Sequence, residues 1–246
     1  MEKLQKTYRV RSAECDRFNQ MRLRSLFNLF QDAADLNAEN IGFGYSFCLQ
    51  NNLTWMGAGY HLKINRLPRR DEEFVLSSWP VESTGLTAIR DFELKTIDGE
   101  VLLLASSSWI LIDLERKRPV PIQKYLDGFV LFKERVFDAD LKKILLPEDL
   151  PFICYQLVRE DDIDINQHVN NAVYPSWILD AIPIDFLTTH DLQELKIQFK
   201  QGALKENKIA ISSKIEDNTS YTLIYDENTG VECARVLSVW KKKELE

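Results

Sequence analysis

The stretch Asp161-Asp162-Ile163-Asp164-Ile165-Asn166-Gln167-His168-Val169-Asn170-Asn171 decides how this chain is read, because a weaker copy of its surroundings sits near the amino terminus. Subtracting 147 from Tyr155, Asn166, Gln167, Tyr174, Trp177 and Ala181 lands on Tyr8, Asn19, Gln20, Phe27, Phe30 and Ala34. Each copy thus has an aromatic start, an Asn-Gln pair and an aromatic face. At that spacing His168 and Asp164 fall on Met21 and Arg17. A duplicated scaffold that keeps its polar set in one half implies one half that reacts and one that supports it.

Working outward, Leu23, Phe27, Phe30 and Ala34 recur at helical spacing and form one apolar stripe, preceded by a short strand over 7–12. Strand-like runs follow at 53–65, 73–80, 88–97 and 101–112, the last two joined at Asp98-Gly99, a strong hairpin signal. Residues 115–150 carry Pro119, Pro121 and Pro147, lack regular patterning and read as a connector. The order then recurs. A strand over 152–158 precedes a helix over 169–182 stopped by Pro183, and strands follow at 193–201, 207–215, 219–226 and 231–241. Leu62-Lys63-Ile64 reappears as Leu195-Lys196-Ile197, and Gly99 with Trp109 as Gly230 with Trp240, at the shorter offsets of 133 and 131.

A helix and then an antiparallel sheet, twice over, is an α+β pattern in which each sheet has a face for a helix to cover. The expected architecture is a tandem (double) hot-dog fold, two antiparallel sheets each wrapped around a long helix. Its parts are an amino-terminal domain over 1–114, a linker over 115–150 and a carboxy-terminal domain over 151–246.

The 246 residues carry a net charge of −7, which argues against a general nucleic-acid binder. Local basic clusters exist nonetheless at Arg66, Arg69 and Arg70, at Arg116, Lys117 and Arg118, and at Lys241 to Lys243. They read as solvated turns or as a landing site for an acidic partner. Four scattered cysteines show no ligand or redox spacing, and neither a targeting leader nor an apolar span is apparent; the expected location is cytoplasmic.

Asp164, Asn166 and His168 alternate, so an extended segment would point all three the same way. Histidine, which in general titrates near ~6.5, can serve as a base, and an adjacent carboxylate would orient it. Such a set can activate water, where a general base contributes about 10²–10⁴-fold, and a donor for a developing oxyanion is worth about 10²–10³-fold. Backbone N–H groups near residues 169–171, at the expected helix start, are candidate donors. Taken singly, His168 reads as a surface or capping residue, and Asp164 and Asn166 as turn residues. The whole string and the contrast between the copies favour a site. Asp162 reads as a solvated neighbour and Asp180 as structural. His61 and His190 read as ordinary residues, and Trp79, Trp109, Trp177 and Trp240 as packing.

The segment Asp162-Ile163-Asp164-Ile165-Asn166-Gln167-His168-Val169-Asn170-Asn171, followed by Tyr174, Trp177-Ile178-Leu179-Asp180 and Pro183, resembles the signature of the plant and bacterial acyl-acyl-carrier-protein (acyl-ACP) thioesterases. Weaker matches are Gln31, Trp55, Pro68, Arg90-x-Phe92 and Ser108-Trp109. The resemblance implies a double hot-dog enzyme that cleaves fatty acyl-ACP with water, releasing a free fatty acid. It implies catalytic roles for Asp164, Asn166 and His168, and no metal or organic cofactor. Substrate contact falls to Asn170 and Asn171, which also read as cap residues, and to Trp55, because the family's amino-terminal half shapes the acyl-chain pocket. The implied partner is acyl carrier protein, met through the basic clusters, with a homodimer allowed for. The plant enzymes also carry Glu and Cys on the strand after the helix, where this chain has Gly202 and Ala203. A thiol nucleophile there is excluded. Either Asp164 with His168 suffices as the base, or Glu194 or Glu206 substitutes, or activity is reduced. Two rival functions remain open: a hot-dog acyl-CoA thioesterase and a non-catalytic acyl-thioester-binding protein.

Overall fold

The computed structural model describes residues 3–81, 85–125, 131–139 and 141–243, so residues 126–130 and 140 of the expected linker lie outside it. The chain divides into two compact units, Met1–Asp140 and Leu141–Glu246.

In the first unit, β1 (Leu4–Arg9) leads through a 3-10 turn (Ser12–Glu14) into α1 (Leu23–Asn40), then α2 (Tyr45–Asn51), β2 (Leu53–Ile64), β3 (Glu73–Val81), β4 (Thr87–Thr96), β5 (Val101–Asp113) and the short β6 (Arg118–Pro119). The strands pair antiparallel in the order β1-β3-β4-β5-β2, with β6 on β5. Gly99 takes a positive φ of 92° at the β4–β5 turn, as its Asp-Gly signal requires. Helix α1 forms because 18 residues free of Gly and Pro carry one apolar stripe. Leu23, Leu26, Phe27, Phe30, Ala33 and Ala34 are buried along it. Phe27 meets Tyr60 of β2 at 4.9 Å between ring centroids, and Phe30 meets Phe92 of β4 at 4.6 Å. Burying each such ring is worth about 1.5–3 kcal/mol. This is a helix wrapped by a sheet, as expected.

The helix ends at Gly42, with φ of 80°, where the Phe43 N–H closes back on the Ala38 carbonyl at 2.8 Å. The following α2 was not legible in the sequence pattern. Residues 131–139, read as linker, pack on the first unit instead. Tyr60 and Phe92 face α1, so their chain neighbours His61 and Asp91 face the other side of the sheet. There Arg135 pairs with the buried Asp91 at 3.0 Å and Phe137 sits edge-on to His61 at 4.8 Å. The Trp79 indole N–H donates to the Glu134 carbonyl at 3.1 Å.

In the second unit, β7 (Phe152–Gln156) and a 3-10 turn (Glu160–Asp162) precede α3 (Tyr174–Asp180), α4 (Ile184–Thr189), β8 (His190–Phe199), β9 (Ile209–Glu216), β10 (Thr219–Asp226) and β11 (Glu232–Lys242). The antiparallel order is β7-β9-β10-β11-β8. The single helix expected over 169–182 is shorter than that. Residues 171–173 form a turn, Pro175 sits at the start of α3, and Pro183 separates α3 from α4. Proline cannot donate the N–H that a continuous helix needs. Tyr174 still fills the helix role, buried against Trp177 at 5.1 Å and Phe199 at 5.2 Å.

Candidate active site

The Asp164–His168 segment is a tight hairpin turn rather than the extended run expected. The Asp164 N–H donates to the His168 carbonyl at 2.8 Å and the Gln167 N–H to the Asp164 carbonyl at 3.0 Å. Gln167 adopts φ of 63°, the left-handed residue that closes such a turn. One carboxylate oxygen of Asp164 accepts from the Asn166 N–H at 2.8 Å, the local bond for which Asp is favoured in turns. The His168 Nδ1 lies 2.7 Å from the Asn166 carbonyl oxygen. A carbonyl only accepts, so Nδ1 carries the proton and Nε2 is the basic nitrogen. His168 and Asn166 are exposed and Asp164 is half-buried. Asp164 thus helps to build the turn that carries His168, and among the described residues it makes no direct bond to the imidazole.

The first unit builds the same turn. There the Asp16 N–H donates to the Gln20 carbonyl at 2.8 Å, the Asn19 N–H to the Asp16 carbonyl at 3.2 Å, and the Asp16 carboxylate accepts from Phe18 N–H at 2.8 Å. Asn19 has φ of 63°. The left-handed residues Asn19 and Gln167 are 148 apart, so the structural register is one residue longer than the spacing read from the Asn-Gln pairs. Asp164 corresponds to Asp16 and His168 to Gln20, in place of the expected Arg17 and Met21. The aspartate is shared between the copies because it makes the turn. The histidine is what distinguishes them.

The backbone donors expected at the helix start are mostly committed. Val169 N–H bonds the Ala203 carbonyl at 2.8 Å and Asn170 N–H the Asp162 carbonyl at 2.8 Å. Asn171 N–H is the one of the three that makes no hydrogen bond among the described residues. The Asn170 side chain caps the turn by accepting from Ala172 N–H at 2.8 Å. Asp162 is buried rather than solvated, and its carboxylate accepts from Arg159 N–H at 3.0 Å. In the first unit, Trp55 donates its indole N–H to the Phe43 carbonyl at 2.9 Å and packs on the cluster of Cys48, Leu53, Leu111 and Ile122. Glu194 lies within β8 and pairs with Lys196 at 3.4 Å, and Glu206 is exposed beyond the strand. His61 and His190 serve packing, the latter stacked on Phe186.

Tyr174, read from the sequence only as part of an aromatic face, also makes a polar contact. Its hydroxyl accepts from Ala203 N–H at 3.2 Å, tying the segment after β8 to α3. Burial is the main reason its pKa is pushed up, with the nearby Cys233 and Asp164 adding to the effect. Cys233 itself is pushed up to about 11 by burial, which leaves it a neutral thiol.

Two basic clusters are partly neutralised. Arg66 is held by Glu72 at 2.8 and 2.9 Å and by Glu100 at 3.4 Å, and Arg70 pairs with Asp71. At the carboxy end Lys243 pairs with Asp191. The turn carrying Arg116, Lys117 and Arg118 is exposed, with Arg116 3.9 Å from Asp113. No described helix is long and apolar enough to cross a membrane.

Against known proteins, the acyl-ACP thioesterase N-terminal domain model matches residues 1–127 and the C-terminal domain model matches residues 152–242. The chain is 26% identical to the chloroplastic oleoyl-acyl carrier protein thioesterase 2 of Arabidopsis thaliana, across 95% of this chain and 75% of that enzyme. It spans 60% and 61% of two further plant oleoyl-acyl carrier protein thioesterases. An acyl-ACP thioesterase from Bacteroides thetaiotaomicron superposes with a TM-score of 0.88 at 18% identity, covering 97% of this chain and 98% of that one. The 12:0-ACP thioesterase of Umbellularia californica gives 0.87 at 21%, covering 98% of each. These superpositions establish the double hot-dog fold, and the two domain models, which together cover most of the residues, establish that this chain belongs to the acyl-ACP thioesterase family of thioester hydrolases.

Proposed function

We propose that the chain hydrolyses fatty acyl-ACP with His168 as general base. The observation that carries this reading is the 2.7 Å contact of Nδ1 with the Asn166 carbonyl oxygen, which leaves Nε2 of the exposed ring as its basic nitrogen. Water bound at Nε2 attacks the thioester carbonyl carbon while its proton passes to the imidazole. The tetrahedral intermediate then collapses, the C–S bond breaks, and the imidazolium returns the proton to the departing carrier thiolate. Asp164 stands across the hairpin from His168, where its negative charge offsets the positive charge that develops on the ring as the proton is transferred. The side-chain amide of Asn166, with no partner among the described residues, orients the water. Asn171 N–H is the backbone donor left for the oxyanion. Asn170 acts as a cap that shapes this loop. Trp55 lines the acyl chain's side of the first unit only through its packing. No carboxylate from position 202 is needed.

The exposed turn of Arg116, Lys117 and Arg118 supports docking of an acidic carrier by charge, and four free thiols suit a cytoplasmic setting. The test is to compare turnover of one acyl group on carrier protein and on coenzyme A. The expected result is a preference for the carrier that shrinks when Lys117 and Arg118 are both changed to Glu. Equal rates on both thioesters would favour an acyl-CoA thioesterase, and tight binding without thiol release would favour an acyl-thioester-binding protein.

A further inference from the structure

Gly202 has no conformational reason to be glycine, since it is not among the residues with positive φ. Its reason is space. A Cβ built at Gly202 would lie 2.6 Å from Cδ2 of His168, 3.1 Å from Cγ and 3.3 Å from Cβ, where carbon atoms prefer about 3.5–4.0 Å. The backbone is the less free of the two, so the exposed ring is what must turn away. The backbone beside Gly202 is fixed by Lys200 N–H to the Cys233 carbonyl at 2.9 Å, Gln201 N–H to the Glu232 carbonyl at 3.2 Å, and Val169 N–H to the Ala203 carbonyl at 2.8 Å. Ala203 N–H is held by Tyr174. On the other side of the ring, Nδ1 is bonded to Asn166.

The first unit supplies an internal comparison. Met21 N–H bonds the Pro68 carbonyl as Val169 N–H bonds that of Ala203, and Asn65 N–H bonds the Leu102 carbonyl as Lys200 N–H bonds that of Cys233. Leu67 therefore stands where the second unit has Gly202, and Gln20 stands where it has His168. The histidine and the missing side chain occur together.

We propose that Gly202 is a positioning residue that seats the His168 imidazole, holding the ring against bare backbone so that Nε2 stays at one place. This rests on the reading of His168 as the base. In this seat an unshifted side chain at 202 and the imidazole exclude each other.

The test uses Gly202→Ala, His168→Ala and the double variant. The chain has three histidines, so imidazole NMR signals are few enough to follow one by one, and the His168→Ala spectrum is to assign that of His168. Gly202→Ala is expected to shift the His168 signals while those of His61 and His190 hold. It should lower kcat about 100-fold with KM little changed, the effect of a displacement near 1 Å. Thermal stability should fall for Gly202→Ala alone and not when His168 is already Ala. Unmoved His168 signals, or an equal stability loss with and without the ring, would overturn the proposal. Shifted signals with unchanged turnover would keep the seat and sink the base role of His168.

Discussion

Replacing Asp164 by Asn separates the charge of this residue from its hydrogen bond. Asn retains an oxygen for the Asn166 N–H, now at 2.8 Å from the carboxylate, and suits the same turn. The loop and its histidine should therefore stay in place, with a change in Tm of no more than about 2 °C. What disappears is a negative charge across the hairpin from His168. Asp164 and His168 share one backbone bond, from the Asp164 N–H to the His168 carbonyl, so the magnitude is worked for a separation of about 6 Å, close to the ~5.5 Å Cα spacing of paired strands. A carboxylate about 6 Å from an imidazolium stabilises it by about 0.7 kcal/mol in water and about 2.8 kcal/mol at an effective dielectric of about 20. Because His168 is exposed and Asp164 half-buried, a value near 1.4 kcal/mol is expected, or about tenfold in kcat/KM. The assay is thiol release from one acyl-ACP, at low salt and again at about 1 M salt, where screening should narrow the gap. Asp164→Ala, which also deletes the turn bond, should be worse than Asp164→Asn. Rates for Asp164→Asn within twofold of the parent would refute a role for the charge, and a large loss of Tm would refute the reading of the turn.

Glu72 accepts two N–H bonds from Arg66 and one from Arg69, and the Arg66 bonds lead in holding its carboxyl below the ordinary value of 4.5. A lowered folded pKa means stabilisation present above 4.5 and lost as pH falls through the folded value. Glu72→Gln should cost about 1 kcal/mol in urea unfolding at pH 7, with the difference from the parent closing on acidification below 4.5; a gap that persists to pH 3 would contradict this. Asp91→Ala leaves Arg135 and the Val136 N–H without their buried acceptor and should cost about 3–5 kcal/mol, read by the same unfolding curves. A cost under 1 kcal/mol would mean that residues 131–139 are not held by that pair.

The strands and α1 were legible because their apolar periodicity is strong and one face of each is buried. The Asp98-Gly99 turn was equally plain. The repeat was visible but misaligned by one residue, because identity of the Asn-Gln pairs outweighed conformation. The left-handed position is filled by Asn19 in one copy and Gln167 in the other, and nothing in residue type announces that. The geometry of His168 was unreadable for the same reason: alternation of Asp164, Asn166 and His168 imitates a strand, whereas the backbone turns between them. Short helices α2 and α4 carry too few residues for a periodic signal. Docking of residues 131–139 depends on Asp91 and Arg135, 44 positions apart, with no local pattern to join them. Gly202 looked like a lost carboxylate, and its use appears only once His168 is placed beside it.

The most direct measurement is single-turnover thiol release from acyl-ACP by the parent and by His168→Ala. His168 is exposed, so its removal should leave folding intact, and the rate should drop about 10²–10⁴-fold with substrate binding retained. A His168→Ala protein that folds, binds and turns over at the parent's rate would contradict the account.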